Sequence, residues 1–180
     1  MSSKFRILTL SLAAAALLSG SPTLARDRDS IFFESVAGAW KGPGEIVAGK
    51  YKGTKFVCNL TGGEHEGKAI GIKLDGTCRV GVFNQKMSAV ITRKGKGYTG
   101  QFLDGSAGEG LDIVSGKVSG DRAIMGINRK TLNGAMIARL NDSETMNITI
   151  SVKVGEEMVP VIGMTLKRGV ENIATGSVRP

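Results

Sequence analysis

The chain has one histidine, one tryptophan, two cysteines and four prolines in 180 residues. Each scarcity removes a class of function. Nucleophilic catalysis needs a nucleophile, a base and an orienting group. With His65 the only imidazole, that arrangement would hang on one residue of Gly62-Gly63-Glu64-His65-Glu66-Gly67, and no G-x-S-x-G occurs. Metal sites gather several His, Cys or carboxylate ligands at matched spacing. In Glu64-His65-Glu66 the neighbours on an extended chain point to opposite sides. Gly105-x-x-Gly108 precedes no helix, so it is no phosphate-binding loop. The sequence therefore leads us to expect no catalytic residues, no metal and no cofactor.

Long apolar runs are also missing. The one such segment, Ile7 to Leu18, is about twelve residues, and a membrane-spanning helix needs roughly 20. It follows Lys4 and Arg6 and precedes Gly20-Ser21-Pro22 and Thr23-Leu24-Ala25, the pattern of a secretory signal peptide cleaved after Ala25. No transmembrane span is expected in the mature chain. Cleavage would remove two basic residues and leave 22 against 16 acidic ones, a net charge of +6. Such a balance favours association with anionic surfaces and says nothing of fold. Cys58 and Cys78 in an exported chain read as a disulfide. Their spacing excludes a C-x-x-C redox site or zinc knuckle. A bridge closing a loop of about twenty residues is worth roughly 3 kcal/mol.

Glycine, by contrast, is plentiful at 26 residues. It recurs between short alternating runs, the pattern of an all-β sandwich or barrel. The runs begin with Ala39 to Val47 and Lys55 to Leu60. Lys68 to Leu74 and Thr77 to Phe83 are joined by an expected turn at Asp75-Gly76. Lys86 to Thr92 and Tyr98 to Leu103 flank Arg93-Lys94-Gly95-Lys96-Gly97. Leu111 to Val118, Ala123 to Arg129 and Ala135 to Leu140 follow, with Asn133-Gly134 as another expected turn. Met146 to Val154 alternates without exception. Met158 to Lys167 keeps Met158, Ile162, Met164 and Leu166 on one face, with Pro160 marking an edge, a bulge or a seam. Asp29 to Val36 fits one short helix. Short connections make sequence neighbours antiparallel neighbours, and closure removes the exposed edges. The expected fold is all-β, an antiparallel up-and-down meander of eight to ten strands. The expected divisions are a signal peptide over 1–25, an arm or short helix over 26–37, a barrel over 38–168 and a tail over 169–180.

Gly38-x-Trp40 on the first strand resembles the calycin group, the lipocalins, avidin-like proteins and their relatives. The resemblance implies a barrel with Trp40 across its floor, and it implies that Arg168, after the last strand, packs over the indole. The Gly38-x-Trp40-x-Gly42-x-Gly44 pattern is also similar to nitrobindin-like barrels. Those hold haem through a histidine near the barrel end, whereas His65 lies in an early loop, so haem is not expected. Trp40 with Cys58 and Cys78 further resembles the periplasmic inhibitors of secreted metalloproteases. They act through an N-terminal arm, for which Arg26 to Ser30 is the candidate segment.

The functional expectation is non-catalytic binding in the periplasm of a Gram-negative bacterium, or outside it. One ligand class is a small apolar or amphiphilic molecule inside the barrel. Another is an anionic envelope component at a basic rim of Lys50, Tyr51, Lys52, Lys55, Arg93, Lys94 and Lys96, with Tyr98 adding stacking surface. Export disfavours nucleic acid. The alternative is a protease inhibitor or other protein–protein module.

Overall fold

A strand whose side chains alternate between apolar and polar buries one face and wets the other, and ten such strands make up most of the described residues. A computed structural model describes residues 27–65, 69–103 and 111–169. The expected signal peptide, most of the expected tail and the Asp104–Gly108 loop lie outside the described residues. One helix, α1 (Arg28–Val36), precedes β1 (Gly38–Ile46), β2 (Lys55–Glu64), β3 (Gly71–Val80), β4 (Phe83–Lys94) and β5 (Gly97–Leu103). The chain continues through β6 (Leu111–Ser119), β7 (Arg122–Arg129), β8 (Leu132–Asp142), β9 (Thr145–Val154) and β10 (Glu157–Arg168). Every strand pairs antiparallel with its sequence neighbours, and β10 pairs with β1, so the sheet is a closed ten-stranded barrel. The all-β meander expected from the sequence is what the chain forms.

The core is the barrel interior. Trp40, Ile72, Ile91, Ile113, Met125 and Leu166 are all buried there, and polar residues dominate the outer wall. A membrane-spanning barrel carries the reverse polarity, apolar outside. No described helix is long and apolar enough to cross a membrane. Cys58 and Cys78 stand opposite each other in the β2–β3 register and are joined by the expected disulfide, with Cα atoms 4.0 Å apart.

Three local expectations change. Asp75-Gly76 is not a turn: β3 runs straight through it, and the hairpin turns at Gly81-Val82 instead. A Cβ at Gly76 would collide with the backbone of Asn59 and Leu60 on β2, so this glycine serves close strand approach. Asn133-Gly134 likewise lies inside β8. The turn is Lys130-Thr131, with Lys130 at φ 54°, and Asn128 donates from Nδ2 to Asn133 Oδ1 across it at 2.8 Å. In β10 the register shifts between Pro160 and Ile162, the bulge that proline allowed. The shift puts Met158 opposite Lys153 and leaves it exposed, so Met158 does not share the inward face of Ile162, Met164 and Leu166.

In a meander the turns alternate between ends. The first end, where β1 starts, holds α1 and the turns at 95–96, 120–121 and 143–144. At the second lie the β1–β2 connection and the turns at 81–82, 130–131 and 155–156.

Candidate functional site

The first end is closed by α1. Phe32, Phe33 and Val36 are buried against the barrel, and Phe33 packs on Tyr98 with ring centroids 5.5 Å apart. A helix leaves its last carbonyls without partners, and here side chains from the barrel supply them. Trp40, 1 % exposed, donates from Nε1 to the Val36 carbonyl at 2.8 Å. Arg168 donates to the carbonyls of Ser35 at 2.7 Å, Ala37 at 2.8 Å and Ser143 at 2.8 Å. Its guanidinium lies over the indole, 4.4 Å from the ring centroid. Gly38 has φ 105°, a left-handed turn that a side chain resists. Gly38, Trp40 and Arg168 thus form one unit.

The helix start is held as firmly. Asp27 caps it, accepting from the Asp29 N–H at 2.9 Å, and pairs with Arg93. The Tyr98 hydroxyl donates to Asp29 Oδ2 at 2.6 Å. Burial, and then the Asp29 carboxylate, push the Tyr98 phenol above its usual range. The Asp29 N–H, and then Arg93, hold Asp27 below the usual carboxylate range.

These contacts correct three expectations. Asp27 to Ser30 is no free arm, because Asp27 is the helix cap and Arg28 to Ser30 form the first turn. Arg93 follows Ile91 with the same parity and turns toward α1 rather than joining a rim. Tyr98 is 4 % exposed and offers no stacking surface. The expected rim is also split. Lys50, Tyr51, Lys52 and Lys55 lie at the second end, whereas Arg93, Lys94 and Lys96 lie at the helix end.

Beside α1, Ser30, Glu34 and His65 line a cleft of about 290 Å³. The Ser30 hydroxyl donates to the Asp27 carbonyl at 2.7 Å, so it is engaged in the helix's first turn. Among the described residues no three His, Cys, Asp or Glu side chains gather as metal ligands.

Among the described residues, apolar voids lie in the interior. One, of about 60 Å³, lies beside the disulfide between Leu60, Met136 and Met164. Another, of about 50 Å³, lies under Trp40 and Phe33. A site for a drug-sized ligand is roughly 300 Å³ or more.

The second end has no helical plug among the described residues. Its β1–β2 connection is ordered by its own backbone: Gly53 N–H donates to Ile46 at 2.7 Å, Lys52 to Gly49 at 3.2 Å and Thr54 to Tyr51 at 3.1 Å. This holds Lys50, Tyr51 and Lys52 outward, all exposed, with the Lys50 ammonium 5.5 Å from the Tyr51 ring. Arg79 and Lys86, flanking the β3–β4 turn, are exposed as well. The second end also carries Val82 and Phe83, 86 % and 78 % exposed, which sequence reasoning assigned no role. The signal was present but misplaced: a turn at Gly81-Val82 puts both at a tip, whereas a turn at Asp75-Gly76 hides Phe83 at a strand end.

No protein-family model and no curated protein matches the chain. Among solved structures, the crystal structure of Rv2717c from M. tuberculosis is similar, with a TM-score of 0.59 and 13 % identity over 79 % of this chain and 98 % of that one. At that identity the likeness shows a shared barrel fold alone.

Proposed function

We propose that this chain is an exported, calycin-like, non-catalytic binding module that meets an anionic component of the cell envelope at the second end of its barrel. The observation that carries the reading is the state of the cations there. Among the described residues Lys50, Lys52, Lys55, Arg79 and Lys86 are exposed with no acidic side chain within ion-pair distance. At the helix end Arg93, Arg139 and Arg168 face Asp27, Asp121 and Glu144 respectively. Cations without partners attract a multivalent anion, and paired ones have already spent most of their field. Export is supported by the Lys4-to-Ala25 pattern together with the Cys58–Cys78 disulfide. The small interior voids favour a partner at the rim over a ligand inside. The inhibitor reading needs an exposed arm or loop, and of its candidate arm, Arg26 to Ser30, the described residues Asp27 to Ser30 are docked.

The test is binding of the mature protein to dextran sulfate and to anionic vesicles at low and physiological salt. Lys50→Glu/Lys52→Glu should abolish binding, and Lys94→Glu/Lys96→Glu at the opposite end should weaken it only slightly. Equal losses from both pairs, or no binding at all, would contradict the proposal.

A further inference from the structure

We infer that the second end docks end-on onto an anionic lipid surface, with the apolar side chains of its hairpin tips entering the headgroup layer. This rests on the proposed reading of that end and narrows its partner to a bilayer. Four described hairpin connections meet there, and each presents an exposed apolar side chain. Tyr51 is 63 % exposed in the β1–β2 connection, and Val82 and Phe83 form the β3–β4 tip. Leu132, 55 % exposed, follows the β7–β8 turn, and Val154, 59 % exposed, precedes the β9–β10 turn. Because the hairpins belong to a closed barrel, these tips ring its mouth instead of lining a groove. The described turns of the helix end hold Gly95-Lys96, Gly120-Asp121 and Ser143-Glu144, with no large apolar residue. The asymmetry between the two ends is therefore built into the sequence.

Cations stand directly behind two of the tips, while the β9–β10 turn carries Glu156, paired with Lys153. Lys50 and Lys52 flank Tyr51, and Arg79 and Lys86 bracket Val82 and Phe83. Apolar area facing the acyl boundary with lysines at headgroup level is the arrangement that binds anionic membrane interfaces. A soluble polysaccharide has no apolar layer to receive Phe83 or Val82. The N–H groups of Lys52, Gly53 and Thr54 bond to the carbonyls of Gly49, Ile46 and Tyr51, so those three donors are not stranded when the tip leaves water. The mostly polar outer wall sets the depth, because its exposed apolar side chains, such as Val90, Val114 and Ile124, stand singly on separate strands.

Trp40 is the only tryptophan, is buried and lies at the opposite end, so a tryptophan placed at a tip reports against a steady background. The experiment uses mature Phe83→Trp protein, with Tyr51→Trp as a second reporter, and vesicles of phosphatidylcholine with or without phosphatidylglycerol. The inference predicts a blue shift and quenching by brominated lipid on the anionic vesicles alone. Val82→Ser/Phe83→Ser should weaken vesicle binding about tenfold or more without changing the melting temperature. Removing Lys50 or Lys52 should weaken it about fivefold each. If both reporters stay unshifted while dextran sulfate still binds, the lipid inference falls and the basic-end reading stands. If the serine variant binds vesicles like the parent, insertion is likewise refuted. Binding to neither material removes both.

Discussion

Trp40 shows how much one residue can organise. Its ring fills the barrel beneath α1, its N–H satisfies a helix carbonyl, and Arg168 covers its face. Replacing it with alanine removes that packing and orphans the Val36 carbonyl. Trp40→Ala should cost about 3–5 kcal/mol, read by chemical denaturation, and a parent-like midpoint would contradict its role as a plug. Tyr98→Phe deletes one hydrogen bond to a carboxylate and should cost about 1.5 kcal/mol. The first of these roles was legible in the sequence, because Gly38-x-Trp40 and a basic residue after the last strand form a spaced pattern. The second was not. Arg93 and Tyr98 sit in a glycine-rich basic stretch that resembles any solvated turn. Only the Gly95-Lys96 turn, by pairing Arg93 with Tyr98 and continuing the parity of Ile91, turns them toward α1.

At the scale of the element, α1 is a short helix held by its surroundings rather than by propensity. Asp27 sits below its ordinary value of 3.8 because the Asp29 N–H and Arg93 favour its charged form. A lowered carboxylate stabilises the fold above that value, and the contribution disappears as pH falls below it. The stability difference between wild type and Asp27→Asn should therefore be greatest near neutrality and shrink below about pH 4. A difference independent of pH would show that the cap carries no charge-linked stability. Tyr98 has the opposite sign: its raised phenol contributes below its ordinary value of 10.0 and loses that contribution as pH rises past it. The disulfide joins directly facing residues on β2 and β3. Cys58→Ala/Cys78→Ala should cost about 3 kcal/mol, and a loss near zero in equilibrium unfolding would contradict that estimate. Most strands could be read from alternation, including Met146 to Val154. Asp75-Gly76 and Asn133-Gly134 misled because a tight-turn dipeptide and a close-packed strand glycine look alike until the neighbouring backbone is in place.

Across the whole molecule, barrel closure sorts residues by end in a way no local pattern reveals. Two basic stretches that read as one rim in sequence are driven to opposite ends by the alternation of turns. At one end Arg93 and Arg168 are drawn into holding α1, and at the other Lys50, Lys52, Arg79 and Lys86 stand beside exposed apolar tips. Composition gave the sign of the charge but not this polarity, which depends on strand count and register. If the proposal holds, binding belongs to the second end. The most direct test is an amide NMR titration of the mature protein with phosphatidylglycerol-containing bicelles. Among the described residues, perturbations should be confined to 47–55, 79–86, 130–132 and 153–157. Shifts centred on α1 and Arg93, or on the interior methyls around Met136 and Met164, would place binding elsewhere and contradict it.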